Sequence, residues 1–192
     1  GAGAVGAEFA DIFNAFGTEV TLLEVLPRIL PVEDAELSDV VAKAYKKLGI
    51  AVRAGADIQG AKVEADGVSI TYAAGGKTET KKVDVVLVAA GRAPNVEGFG
   101  LEAAGVQLTE RGFIEVDGLM QTNVPGYFAV GDVAGPPLLA HKGSREGVVA
   151  AEAIAGLSPH AIDYTNVPGA TYCHPEVASV GLTEEQCKEK GL

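Results

Sequence analysis

Tryptophan is absent from this chain, methionine occurs once, and cysteine occurs only twice. Cys173 and Cys187 stand in neither a CxxC nor a CxxxxC spacing, so they offer no metal knuckle and no redox dithiol. Both read as small apolar residues. Positive charge is also scarce: 15 Lys and Arg against 26 Asp and Glu give a net charge of −11. Phosphate backbones need a basic surface, so this balance argues against a nucleic-acid partner. No apolar run reaches membrane-spanning length, and no basic segment leads into an apolar stretch. The expectation is a soluble protein of a reducing compartment, the cytoplasm, with no membrane partner.

What is plentiful is small residues. Glycine alone accounts for 25 of the 192 positions, and 47% of the chain is hydrophobic. Such a composition suits tight turns and close helix–sheet packing around a real core. No internal repeat and no low-complexity tract interrupts it.

The chain opens on "GAGAVGAEFA", a G-x-G-x-x-G pattern on Gly1, Gly3 and Gly6. Apolar residues at Val5, Phe9, Ile12, Phe13 and Phe16 then recur at helical spacing, and Gly17 stands where a C-cap glycine belongs. "EVTLLE" reads as a buried strand finishing on Glu24. A second helix follows the proline-bounded "LPRILP", with its apolar face on Leu37, Val40, Val41, Ala44 and Leu48. Asp34 and Glu36 at its start and Lys43, Lys46 and Lys47 near its end match the helix dipole. This is a βαβ unit whose feeding strand is expected upstream of Gly1.

Short alternating stretches punctuated by Asp66-Gly67 and Gly75-Gly76 then predict an antiparallel meander. "DVVLVAAG" does not alternate and predicts a strand buried on both faces, ending on Gly91. "GFIEVD" and "YFAVGD" predict further strands. A helix is expected from about Leu139 to Ile154, packing through the mostly small face Ala140, Gly143, Gly147, Ala150, Ala151 and Ile154. "GATYCHP" and "VASVGL" predict strands, and Thr183 caps a final helix.

A glycine-rich turn that opens a helix can admit a pyrophosphate to the helix N-terminus. Glu24, at the end of the next strand, can accept both ribose hydroxyls of NAD and repel the 2′-phosphate of NADP; its bland reading is an exposed strand-end charge. Glu8 is either a carboxylate favoured by the helix N-terminus or a group near the nicotinamide. Gly91, at the carboxyl end of a strand, lets backbone approach a cofactor or simply serves a turn. Asp132 ends "YFAVGD" and can hold a polyol, and the helix that opens with "LLAHK" can face an anionic ring edge. His141 could be an acid/base but, at the start of a small-faced helix, reads as structural, and His174 reads as a strand-end packing residue; neither has a carboxylate partner at a suggestive spacing. His160 reads as solvated.

The set "GAGAVGAEFADIFNAFGTEVTLLE", "LPRILP", "VLVAAGRAPN", "YFAVGDVAGPPLLAHKGSREG" and "YCHPEVASVGLTEEQ" resembles the dihydrolipoamide dehydrogenases (E3) of the pyridine nucleotide–disulfide oxidoreductase family, in order and spacing over essentially the whole chain. The resemblance implies an α/β fold: a Rossmann-like FAD/NAD(P)-binding three-layer ββα sandwich with the start of an α+β dimer-interface domain. It implies an NAD-binding domain over 1–92, the C-terminal half of an FAD-binding domain over 93–163, and the beginning of the interface domain over 164–192. Gly1, Gly3 and Gly6 would hold the NAD pyrophosphate, with Glu24 on the adenosine ribose, Glu8 near the nicotinamide, and Ile58 and Gly91 offering backbone. Asp132 would bind the ribityl chain of FAD, and Leu138, Leu139, Ala140 and His141 would line the flavin.

In this family a CxxxxC disulfide lies upstream and a catalytic His–Glu pair lies downstream. Neither is in this chain, so no catalytic residue and no metal ligand is assigned to it. The expectation is an internal segment that is colourless and inactive alone. Its intact parent would form homodimers, engage lipoyl domains of 2-oxo acid dehydrogenase complexes, and pass dithiol electrons through FAD to NAD. Mercuric reductase-like and soluble transhydrogenase-like members, and a non-catalytic NAD-binding module, are the competing readings. A glutathione reductase-like enzyme should offer Arg where Glu24 stands.

Overall fold

The computed structural model describes residues 1–192, which divide into two compact units. The first comprises Gly1–Gly91 and Ala170–Leu192, and the second Arg92–Gly169.

In the first unit, helix α1 (Ala4–Ala15) leads through a turn to strand β1 (Thr21–Leu23), helix α2 (Ala35–Lys47) and strand β2 (Ala51–Arg53). β1 and β2 pair in parallel, with Leu22 opposite Val52. Gly17 ends α1 at φ +86°, a conformation a side chain resists, while Thr18 N–H closes onto Phe13 O at 3.0 Å. The core collects Ala2, Ala7, Ala10, Leu22, Ile29, Leu30, Val41, Tyr45 and Ile50. Each large apolar side chain buried there contributes about 1.5–3 kcal/mol.

Residues 170–192 join that core through Cys173 and Val177. Strands β6 (Gly169–Thr171) and β7 (Val177–Ser179) pair with each other, and helix α4 (Glu184–Glu189) follows. Thr183 caps α4 with a complete capping box: its hydroxyl accepts from Gln186 N, and Gln186 Oε1 accepts from Thr183 N. Arg28 holds Glu185 through two bonds of 2.9 and 2.8 Å, and Asp34 Oδ1 accepts from Glu184 N.

The predicted meander is present as β3 (Asp57–Glu64), β4 (Gly67–Ala74) and β5 (Lys77–Val83), antiparallel in that order. The two-residue turn Gly75-Gly76 has positive φ at both positions, as a hairpin turn matched to strand twist requires. A bulge falls between Ile58 and Gly60.

Three expectations are corrected. "DVVLVAAG" forms no ladder, and Val85 and Val88 are exposed. An apolar run stays buried on both faces only where strands and layers flank it, and no strand hydrogen-bonds to this one. "GFIEVD" and "YFAVGD" are not strands either: each contributes one isolated bridge, Leu108 with Ile114 and Gln121 with Phe128. After Val130 the backbone turns at Gly131, φ +79°, into a 3₁₀ turn over Gly131–Ala134.

The third correction concerns helix α3 (Ala140–Ile154) in the second unit. Its buried residues are Lys142, Glu146, Val149 and Ala150, so of the expected small stripe only Ala150 is fully buried. Gly143 does pack closely, since a methyl there would lie 3.0 Å from Gly131 Cα. Ala140, Ala151 and Ile154 are exposed. The helix is turned so that a charged pair meets the unit beside Gly143 and Ala150, while the rest of the small face stays outside. Val149 and Ala150 pack with Met120, and a neighbouring cluster gathers Val106, Ile114 and Ala129.

Candidate nucleotide-binding sites

The glycine turn of the first unit is crowded on one side and open on the other. A methyl group at Gly1 would sit 2.5 Å from the Ala89 carbonyl oxygen, and one at Gly6 would run into the carbonyl oxygen of Gly1. Gly3, between them, faces open space. Gly3 is the N-cap of α1, has no side chain to cap the first turn, and no acidic residue occupies that turn. The leading amides of the helix are therefore left for an outside acceptor, at the positive end of the dipole.

Glu24 closes this turn from the end of β1. Only 5% exposed, it accepts from Ala2 N at 2.5 Å through Oε2 and from Leu26 N at 2.9 Å through Oε1. The strand end is thereby tied to the inside of the glycine turn. A carboxylate has about four acceptor positions, so one on each oxygen remains. The bland reading of Glu24 as an exposed charge is corrected. Its bond to Ala2 has no sequence signal, because nothing local marks a contact across 22 positions.

Glu8 is turned toward the 170–192 segment, where Oε1 accepts from Tyr172 N at 2.8 Å. Ile58 lies at the bulge of β3, and Gly91 has φ +105° with open space around it. These residues and the glycine turn all belong to the first unit. The arrangement fits a dinucleotide: a side-chain-free approach to backbone amides, and a carboxylate beside it.

One residue with a structural reading behaves differently. His174 is not a packing residue; its side chain is 82% exposed, and Nδ1 lies 2.7 Å from Asp11 Oδ2. That hydrogen bond, followed by the Asp11 charge itself, raises the His174 pKa above its ordinary value. The partner sits 163 positions away, out of reach of a spacing argument. Close by, Tyr45 donates to Ala7 O at 2.7 Å, and burial pushes its hydroxyl pKa up. Cys173 is fully buried, and burial raises its thiol pKa as well.

In the second unit, Asp132 stands on the 3₁₀ turn with a half-exposed carboxylate, 3.7 Å from Arg92 Nη1. Leu139 is the N-cap of α3, again without a side-chain cap, and no acidic residue lies in the first turn. An exposed carboxylate on a turn and an uncapped helix start within one unit are the donor and acceptor set a flavin nucleotide would need. His141 Nε2 lies 2.9 Å from Pro168 O, which fits its structural reading. A cavity of about 620 Å³ opens elsewhere in the unit, lined by Phe113, Val116, Met120, Gly135, Pro136 and Tyr164 among others. It contains none of the expected binding residues. No group of His, Cys, Asp and Glu is arranged to hold a metal ion, and no helix is long and apolar enough to cross a membrane.

The family "Pyridine nucleotide-disulphide oxidoreductase" matches residues 1–147, and its dimerisation domain matches residues 167–192. A dihydrolipoyl dehydrogenase of Corynebacterium glutamicum is 50% identical over 193 residues, covering 99% of this chain and 41% of the relative. The dihydrolipoyl dehydrogenase of Zymomonas mobilis is 49% identical, covering 100% of this chain and 41% of the relative. Among solved structures, the HOCl-induced flavoprotein disulfide reductase RclA from Escherichia coli superposes with TM-score 0.87 at 30% identity, covering 100% of this chain and 43% of that one. The chain thus spans about two fifths of the length of the curated relatives it matches.

Proposed function

We infer the function from one established premise: the chain belongs to the pyridine nucleotide-disulphide oxidoreductase family, whose fold is a Rossmann-like FAD/NAD-binding α/β arrangement. We propose that it supplies the NAD-binding part and a portion of the FAD-binding part of a dihydrolipoyl dehydrogenase. The observation that carries this is the glycine turn, in which Gly6 is packed onto Gly1 and the Glu24 carboxylate is bonded to the amide of Ala2 between them.

Each residue has a definite task in this reading. The uncapped amides at the start of α1 bind the pyrophosphate of NAD, with Gly3 leaving the approach open. Glu24 uses its remaining lone pairs on the adenosine ribose and excludes a 2′-phosphate by charge. Glu8, held by Tyr172 N, stands toward the nicotinamide, and Ile58 and Gly91 offer backbone. Asp132 accepts from the ribityl hydroxyls of FAD, while Leu138, Leu139, Ala140 and His141 present the start of α3 to the electron-rich edge of the flavin. When bound, FAD supplies the two-electron relay between a dithiol–disulfide couple and NAD⁺. The protein's share is binding, orientation and charge.

The whole enzyme in this reading is a cytoplasmic homodimer that oxidises lipoyl-bound dithiols. The dimerisation-domain match supports the dimer, and the name of the relatives supports the dehydrogenase reaction. A different disulfide reductase of the family is the second reading, favoured by the likeness to the E. coli flavoprotein; the higher identity to dihydrolipoyl dehydrogenases favours the first. Two experiments test the proposal. The chain should bind NADH at least about ten-fold more tightly than NADPH, read from nucleotide fluorescence; equal affinities would remove the role given to Glu24. A chimera in which residues 1–192 replace the matched segment of the C. glutamicum enzyme should form NADH from dihydrolipoamide. A folded, flavin-loaded chimera without that activity would refute the assignment.

A further inference from the structure

Lys142 and Glu146 are the most deeply buried charged residues of the second unit, with side chains 0% and 1% exposed and 3.0 Å apart. Nothing in the nucleotide-binding reading uses them. Their hydrogen bonds converge on one short piece of backbone. Lys142 Nζ donates to Gly131 O at 2.9 Å and to Gly135 O at 2.7 Å, and lies 3.0 Å from Glu146 Oε1. Glu146 Oε2 accepts from Gly131 N at 2.7 Å, and Oε1 also accepts from Tyr164 OH at 2.7 Å. The ammonium thus has three oxygen acceptors within 3.0 Å, matching its three protons. Both backbone polar groups of Gly131 are held by the same ion pair, from successive turns of one helix.

The segment so held is the 3₁₀ turn Gly131–Ala134, bracketed by the two carbonyls that Lys142 grips. Asp132 is its second residue. The absent side chain of Gly143 lets α3 come close enough for Lys142 and Glu146 to reach it. Stability alone does not explain such a pair. Desolvating two charges cancels most of their attraction, and apolar residues of similar size commonly serve a core as well or better. What apolar residues cannot do is fix the orientation of the peptide planes on either side of Gly131, a residue free to adopt φ +79° and many other conformations.

We propose that the Lys142–Glu146 pair is a positioning device for the Gly131–Ala134 turn, presenting the Asp132 carboxylate to the polyol chain of a flavin nucleotide. The proposal rests on the reading of Asp132 given above. Neither member of the pair touches the ligand; both act through the backbone that carries Asp132.

The test uses the chimera with the C. glutamicum enzyme, stripped of flavin, and FAD as the probe. The variants are Lys142→Met/Glu146→Leu, Asp132→Ala and the combination of the three, with FAD affinity read from flavin fluorescence and thermal midpoints of the apoproteins alongside. The double variant should lose about ten-fold or more in FAD affinity, with a cooperative thermal transition of the apoprotein showing that it is folded. Asp132→Ala should then cost little further, because the two changes act through one contact. Independent, multiplying losses, or parental affinity in the double variant, would overturn the proposal. Parental affinity in Asp132→Ala alone would instead sink the flavin reading of Asp132, and the proposal with it. Should the double chimera fail to fold, hydrogen exchange in chain 1–192 decides. Amides of 129–135 should exchange about ten-fold or more faster in the Lys142→Met/Glu146→Leu chain, with 1–91 unchanged. Unchanged exchange at 129–135 would overturn the positioning role.

Discussion

His174 Nδ1 meets Asp11 Oδ2 at 2.7 Å, joining the turn after β6 to the buried side of α1. With Glu8 accepting from Tyr172 N one helical turn earlier, α1 holds the 170–174 segment at two points. The charged groups acting on His174 are Asp11 first, then Glu176. Its folded pKa lies above the ordinary imidazole value of about 6.5. The contact therefore contributes stability that is fully present below about pH 6.5 and is lost as pH rises through the folded pKa. Amides of 170–174 should show faster hydrogen exchange above that folded pKa than below pH 6.5, after correction for intrinsic rates. Asp11→Asn should return the His174 titration, followed by NMR, to the ordinary range. A titration in the parent at or below that range would contradict the pairing.

Glu24→Gln is a near-isosteric test of the strand end. A carboxylate accepts from both Ala2 N and Leu26 N, whereas a carboxamide must turn its NH₂ toward one of these donors. Leaving a buried amide unsatisfied costs about 1–3 kcal/mol. The variant should unfold at lower denaturant with an unchanged slope and should bind NADH weakly. Parental stability would show that the two backbone bonds carry no weight.

How far the sequence foretells these features depends on whether the signal is local. The helices, the Gly75-Gly76 hairpin turn and the Thr183 cap are legible, because periodicity, positive φ and capping boxes are written within a few residues. The fate of "DVVLVAAG" is not, since burial of an apolar run is decided by its neighbours. The Lys142–Glu146 pair escapes the sequence for a different reason. It sits at helical i, i+4 spacing, which on most helices marks a solvated ion pair, and only the approach of Gly131 to Gly143 shows that this one is inside. The pairing of Asp11 with His174 has no sequence signal at all.

Gly6→Ala should be the most damaging single methyl in the first unit. The new Cβ would collide with the Gly1 carbonyl oxygen, which is backbone and cannot swing aside as a flexible side chain would. Overpacking of this kind costs about 1–3 kcal/mol, and relief requires the glycine turn to open. NADH binding should be lost and thermal stability lowered. Gly3→Ala, at a position facing open space, should leave stability near parental, since the fold itself has room there. If both variants were equally stable, the crowding at Gly6 would be refuted.

The two thiols should differ sharply in chemistry, although neither forms a disulfide. Cys173 lies at 0% exposure in the core of the first unit, with Sγ 3.2 Å from Pro175 O, and burial raises its pKa. Only the thiolate attacks an alkylating agent or a disulfide, so a buried thiol with a raised pKa is doubly protected. Cys187, on the short helix α4, is only partly covered. Iodoacetamide should therefore modify Cys187 first, and Cys173 only at the rate at which the unit opens, read by mass spectrometry of the two peptides. Thiol–disulfide relay needs a second cysteine to resolve the mixed species, and these two are held in different environments. The Cys173→Ser/Cys187→Ser variant of the chimera should thus keep its dihydrolipoamide-dependent NADH formation, with at most a modest loss of stability from the hydroxyl at position 173. Abolished turnover in a folded, flavin-loaded variant would make these cysteines redox groups and would contradict a chain whose part is to bind nucleotides.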